Sequence, residues 1–246
     1  MEVSSATSVG RIRPLNEDSY FVSEPDQSGT VLAIVADGMG GHNAGEVASG
    51  KAVGIVQKDV LGKCGKNAKD VLVKAVNDAN REIYEMSVNA RNLSGMGTTM
   101  TACVAEEHNV TAVQVGDSRL YLIRGEKITQ ITKDHSLVEM LLENGKITKE
   151  EARRHPQKNI ITRALGVDYR LDPEFTSVPV QKGDMLLLCT DGLTNVLPKE
   201  KIEEIFTKGG FYDIPDRLVD AANAGGGPDN ITALLLGVEP LEVKHG

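Results

Sequence analysis

Along this 246-residue chain the apolar positions follow two different periods. "SYFVSE" and above all "TVLAIVAD" are strand-like, the second almost continuously apolar, as a strand covered on both faces must be. From Ala44 to about Leu61, and again from Asn67 to about Asn89, the spacing becomes helical, with Val71, Leu72, Ala75, Val76, Ala79 and Ile83 recurring on one face. Strands return in "GTTMTACVAEE", "NVTAVQVGD" and "RLYLIRGEKITQIT", where "RGE" reads as a tight hairpin link. Connections this short join antiparallel neighbours. Residues 136–166 read as a separate, charged helical insert closed by Pro156. "DMLLLCTDG" is a further strand, two helices follow it, and "NITALLLGV" is the last strand. This order predicts an α+β layered architecture, two stacked antiparallel sheets with helices outside. No repeat or linker marks a boundary, so residues 1–238 are expected to be one domain and residues 239–246 a polar tail.

Charge narrows the function classes. Lys and Arg total 27 against 35 Asp and Glu, a formal net charge of −8, and no basic cluster could track a phosphate backbone, which argues against nucleic acid. No apolar run approaches the ~20 residues of a bilayer span, and the first residues lack a signal-peptide core, so a cytoplasmic protein without membrane association is expected. No heptad seam predicts a coiled-coil assembly, and a monomer is expected. Cys64, Cys103 and Cys189 are widely spaced, without the pairs that zinc or redox chemistry uses, and read as small core residues or bystanders.

The chemistry lies in the acids. Three of the most apolar runs abut an aspartate beside glycine or serine, in "LAIVADG" at Asp37, "AVQVGDS" at Asp117 and "LLLCTDG" at Asp191, and Asp229 in "GGPDN" precedes the last strand. One Asp-Gly pair is an ordinary turn, as "KGD" at Asp184 is read to be. Four at strand ends can meet at one edge of the sheets, where they would repel unless a cation neutralised them. Oxygen ligands without clustered His or Cys point to a hard ion such as Mg2+ or Mn2+. Gly38 leaves its carbonyl free to turn toward an ion, and Gly40 and Gly41 let backbone pass close to a ligand. Nucleotide readings of the same stretch fail: Asn43 stands where a dinucleotide fingerprint needs its third glycine, and Ala52 where a P-loop needs Ser or Thr.

Taken in order, "GRIRPLNED", "VADGMGGH", "GMGTT", "VGDSRLYLIR", "TRALG", "LLLCTDGL" and "GGPDNIT" resemble the metal-dependent serine/threonine protein phosphatases of type 2C, in their stand-alone bacterial branch, from about residue 3 to 238. The resemblance implies a four-layer sandwich of two antiparallel sheets flanked by helix pairs, with a binuclear Mn2+ or Mg2+ site in a cleft at one edge. By motif, Asp37 would bridge the two ions, Asp191 and Asp229 would hold one, and Glu17 with the Gly38 carbonyl would serve the other. Asp117 with Asp191 would hold a weaker third ion. Asp18, next to Glu17, would be the closer ligand in its place or would orient waters, and Asn230 would stand behind the ligands. Arg13 matches the phosphate-binding arginine, whose planar fork suits two phosphate oxygens. His42 follows the Asp-Gly pair, as the family's general acid does, but after three intervening residues; His135 is read as structural. The 136–166 insert corresponds to the variable flap beside the cleft.

The expected reaction is hydrolysis of phosphoserine and phosphothreonine in proteins by a metal-bridging hydroxide, with His42 or water protonating the departing serine oxygen. Phosphoproteins, a Ser/Thr kinase among them, are the expected partners. Two other classes stay open at this stage: a metal-dependent phosphohydrolase of small molecules, and a phosphatase-fold regulator without turnover.

Overall fold

In the computed structural model, which describes residues 1–40, 44–63 and 67–238, the chain begins with β1 (Glu2–Ser8), β2 (Asp18–Val22) and β3 (Val31–Met39). The helices α1 (Ala44–Val60) and α2 (Ala68–Asn89) follow, then β4 (Gly97–Thr98), β5 (Met100–Ala105), β6 (Asn109–Val115), β7 (Arg119–Arg124) and β8 (Lys127–Gln130). Two short helices, α3 (Leu137–Glu143) and α4 (Lys149–Arg154), precede β9 (Glu174–Pro179) and β10 (Met185–Cys189). The chain ends with α5 (Asp191–Thr194), α6 (Lys199–Lys208), α7 (Ile214–Ala224) and β11 (Ile231–Gly237).

Every strand pairing is antiparallel. One sheet has the order β1-β11-β10-β7-β8; the other runs β2-β3-β5-β6-β9, with β4 also on β3. Strand periodicity sorts the core into three layers. Leu32, Ile34 and Ala36 of β3 face α1 and α2, whereas Val31, Ala33 and Val35 face the opposite sheet. In β10 and β11, Leu187, Leu235 and Ala233 pack against α5 to α7, and Leu186, Leu188, Leu234 and Leu236 complete the layer between the sheets. The result is the expected α+β stack of helices, sheet, sheet and helices.

Several expectations need correction. β1 and β9 were not legible as strands: each lies at a sheet edge, and β1 buries only Ala6. Edge strands need no apolar alternation when one neighbour supplies the whole ladder. Asp37 is not at a strand end, because β3 continues through Gly38 to Met39 by pairing with β4. The 136–166 insert is helical only in α3 and α4; from His155 onward it is irregular, since Pro156 can neither donate to nor continue a helix. After Asp191 come three helices, not two. Asp184 is more than a turn residue: its buried carboxylate accepts two bonds from the Arg124 guanidinium, at 2.9 and 2.7 Å. Cys103 and Cys189 are buried, with burial pushing both thiols up to about 12, so they are inert core residues; Cys64 lies outside the described residues.

Candidate active site

At one end of the sandwich the layer between the sheets turns from apolar to polar. In β3 the inward series Val31, Ala33, Val35 continues to Asp37, and Asp18 of β2 lies directly opposite it. In β10 the series Leu186, Leu188 continues to Thr190, and in β11 Leu236, Leu234 leads back to Thr232. Strand geometry alone therefore aims these four polar side chains into the same gap. The contacts agree. Asp18 Oδ2 accepts from the Thr190 hydroxyl at 2.8 Å and the Thr232 hydroxyl at 2.7 Å, one hydrogen bond from each strand of the facing sheet.

Asp37 is held through its backbone. Its N–H donates to Thr99 Oγ1, and its carbonyl accepts from Thr98 Oγ1 and the Thr99 N–H, each at 2.9 Å. Thr99 Oγ1 meets Ser118 Oγ at 2.8 Å, and Thr98 pairs through its backbone with Leu165 at the end of the insert. These bonds give the "GMGTT", "GDS" and "TRALG" stretches a physical purpose: they fix the strand position that carries the carboxylate.

Asp191 opens α5, where the helix dipole favours an acid, and its Oδ2 accepts from Asn195 Nδ2 at 2.8 Å. Asp229 precedes β11 and receives both arms of Arg13, Nη2 to Oδ2 and Nε to Oδ1, each at 2.9 Å. Asn230 ties the loop of residues 9–17 to this strand entry. Its Oδ1 accepts from the Glu17 N–H, and its Nδ2 donates to the carbonyls of Val9 and Leu15. Glu17 packs against the start of α1: a Cβ at Gly45 would lie 2.6 Å from Glu17 Oε1, and one at Gly38 would lie 2.2 Å from the Gly45 carbonyl oxygen. Only glycines allow β3, α1 and the Glu17 carboxylate to meet so closely. Asp117 follows Gly116, whose N–H donates to the buried ring of His135 at 3.2 Å; the other ring nitrogen of His135 meets Glu174 at 3.1 Å. That placement matches the structural reading of His135. His42, like Gly41, lies outside the described residues.

Electrostatics describe the same cluster. Burial, then the charges of Asp18, Asp191, Asp117 and Asp229, hold the Asp37 carboxyl well above the ordinary carboxylate range. Burial pushes Asp117 up to about 8 and Asp18 to about 7, although the two threonine hydroxyls pull Asp18 back. Asp191 is raised by burial and by the charge of Asp229. Asp37 and Asp191 keep some exposed surface, but the protein around them leaves both carboxyls poorly solvated.

A divalent cation fits this donor set. Asp18 Oδ1 and Asp191 Oδ1 are buried without a hydrogen-bond partner among the described residues, a costly condition for carboxylate oxygens that a cation relieves. All the side-chain donors are oxygens, as Mg2+ and Mn2+ prefer. Among the described residues no three acidic, histidine or cysteine side chains are arranged to grip one ion together. The carboxylates instead neighbour one another in succession, Asp18 with Asp37, Asp37 with Asp191, and Asp191 with Asp229. Pairs suit an ion that takes one or two carboxylates and fills its remaining positions with water. Several contributors were missed from sequence: Thr98, Thr99, Ser118, Thr190 and Thr232. For Thr190 and Thr232 the signal was a polar residue continuing an inward-facing apolar series.

Comparison with known proteins agrees with this fold. The family described as protein phosphatase 2C matches residues 12–226. The serine/threonine phosphatase stp of Listeria monocytogenes is 42% identical over 241 residues, covering 96% of this chain and 95% of that protein. The crystal structure of the Mycobacterium tuberculosis serine/threonine phosphatase PstP/Ppp aligns with a TM-score of 0.90 at 36% identity, covering 97% of this chain and 99% of that one. The catalytic domain of PstP in complex with two manganese ions aligns with a TM-score of 0.87 at 35% identity, covering 97% and 98%.

Proposed function

The chain belongs to the protein phosphatase 2C family, and we propose from its geometry which residues do the work of a metal-dependent serine/threonine protein phosphatase. Its activity is hydrolysis of phosphoserine and phosphothreonine in proteins, with a dinuclear metal centre. The single observation that carries the residue assignment is the set of mutually repelling carboxylates with two partnerless oxygens at the polar end of the sandwich. Asp37 would be shared between two ions, Mn2+ or Mg2+. Asp191 and Asp229 would hold one ion, at least one of the three carboxylates around it acting through water, and Glu17 with the Gly38 carbonyl the other. Asp117, with Asp191, would hold a weaker third. Asp18 and Asn230 stand behind these ligands, the first fixed by Thr190 and Thr232, the second anchoring Glu17.

Divalent metal, when bound, supplies the positive charge that a phosphate dianion needs among these carboxylates and makes water a stronger acid. The rest falls to the chain. Arg13, half exposed at the rim, holds Asp229 with the same two-armed geometry that fits two phosphate oxygens. Substrate phosphate would draw that fork away from Asp229 and so be oriented by it. Thr98 and Thr99 keep the Asp37 carboxylate in place while charge moves past it. The departing serine oxygen needs a proton, and His42 is proposed to supply it. That a Ser/Thr kinase is among the substrates, and that the chain acts as a cytoplasmic monomer, is part of the same proposal.

The test is phosphate release from a panel of phosphoserine and phosphothreonine peptides and of nucleotides, with Mn2+ and with a chelator. Peptide hydrolysis that depends on metal is expected, with nucleotides left largely intact; preference for nucleotides would overturn the reading. In the same assay Arg13→Ala should raise KM for phosphopeptides by about 10- to 100-fold, the worth of roughly 1.5–3 kcal/mol for a hydrogen-bonded charged contact. An unchanged KM would remove Arg13 from phosphate binding.

A further inference from the structure

Beside the carboxylate cluster a groove of about 760 Å3 separates α3 and α4 from β7, β8 and the start of α6, and Asp117 and Asp191 line it as well. It therefore opens into the active centre. Its volume exceeds what a phosphate group needs and suits a peptide segment of several residues. Its charge runs against that of the protein: seven basic side chains line it against four acidic ones, on a chain whose formal net charge is −8. Three of the seven are engaged, Arg119 with Asp134, Lys133 with Glu143 and Lys199 with Glu203. Lys127, Lys149, Arg153 and Lys158 enter no ion pair among the described residues. Lys149 and Arg153, four residues apart on α4, share one helix face, and Lys127 starts β8 on the body side. Lys158 lies close enough to Asp191 for its charge to act on that carboxylate. Val138 and Leu142 of α3 add half-buried apolar surface to the same wall.

We propose that this groove binds an acidic segment of the substrate polypeptide next to the phosphorylated residue, so that Lys127, Lys149, Arg153 and Lys158 select phosphosites flanked by Asp and Glu. The proposal rests on the phosphoprotein phosphatase reading. Free cations on both walls can be neutralised by a chain lying between them, and the phosphorylated residue is then delivered to the end of the groove where Asp117 and Asp191 stand. Neither α3 nor α4 contributes to the three core clusters, so their inner faces are open to a ligand without loss of core packing.

The test compares two phosphothreonine peptides that differ only in four Glu or four Gln beside the phosphothreonine. The wild type should show a KM about tenfold lower for the Glu peptide, the effect of a few half-exposed charge pairs acting together. Lys149→Glu with Arg153→Glu should abolish that difference while kcat for the two peptides stays equal, and Lys127→Glu, on the other wall, should reduce it independently. Anisotropy with a fluorescent, unphosphorylated Glu peptide and Mn2+-loaded protein reads the groove without catalysis. Binding to the wild type, not to the double variant, and none of the Gln peptide, is expected. Equal KM values for the two wild-type peptides, or a Glu preference that survives both variants, would overturn the proposal. If neither peptide were dephosphorylated, the phosphatase reading would fail and anisotropy alone would decide the groove.

Discussion

Asp37→Asn lowers phosphopeptide hydrolysis by at least about a thousandfold and at the same time raises the melting temperature of the metal-free protein. The two effects have one cause. Asp37 is the carboxylate on which the others converge, with Asp18, Asp191, Asp117 and Asp229 all acting on it at the poorly solvated end of the inner layer. If it is shared between two ions, its loss removes the charge stabilisation that metal supplies to the reacting phosphate, several kcal/mol, and about 4 kcal/mol corresponds to a thousandfold. Without metal the same charge only repels its neighbours. Asn is nearly the same shape, and the backbone bonds from Thr98 and Thr99 do not depend on the carboxylate. Removing one charge from the cluster should therefore stabilise the metal-free fold by about 1–2 kcal/mol, or roughly 3–5 °C for a domain of this size. Steady-state assays with thermal melts in chelator check both halves. A variant that lost activity because it was unfolded would show a lower melting temperature.

The second large effect is a pH dependence that metal inverts. Asp18 and Asp117, at about 7 and about 8 in the folded chain, titrate near 3.8 as ordinary aspartates. A carboxyl whose pKa is higher folded than unfolded binds more protons when folded, so its contribution to stability is lost as pH rises through the folded value. From pH 6.5 to 8.5 the metal-free protein should lose about 2 kcal/mol, or roughly 5 °C in melting temperature. His135 opposes this only at lower pH: burial holds its pKa below the ordinary 6.5, so its destabilising protonation falls below this window. With millimolar Mg2+ the order should reverse, because metal competes with protons for the same oxygens and binds better as pH rises. Differential scanning calorimetry at the two pH values, with and without metal, separates the cases. A metal-free protein more stable at pH 8.5 would mean that the carboxylates do not burden the fold.

Much of this was legible before the structure, for reasons that individual residues make clear. Asp37, Asp191 and Asp229 stood out because charge adjoining an apolar run costs free energy that a soluble fold must offset by something bound. Layer order followed from runs such as Val31–Val35, apolar on both faces. What escaped has physical reasons too. β1 reads "EVSSATS" because an edge strand needs only one partner, and Ser and Thr serve it as well as apolar residues. The support around Asp37 is spread over Thr98, Thr99 and Ser118, brought together by strand pairing that a linear reading does not contain. Arg13 matches a phosphate-binding arginine by motif, but its contact with Asp229, 216 residues away, is made only by the fold. The groove under α3 and α4 was invisible for the same reason, since its basic residues come from separate elements.

The central claim is that the carboxylates around Asp37 exist to hold metal. Equilibrium dialysis of Mn2+ against the wild type and Asp37→Asn, at fixed pH and without substrate, tests it most directly. Two tightly held ions per wild-type chain, and at most one weakly held ion in the variant, are predicted. Equal stoichiometry and affinity in the two proteins would contradict the account, because the ions would then be held elsewhere.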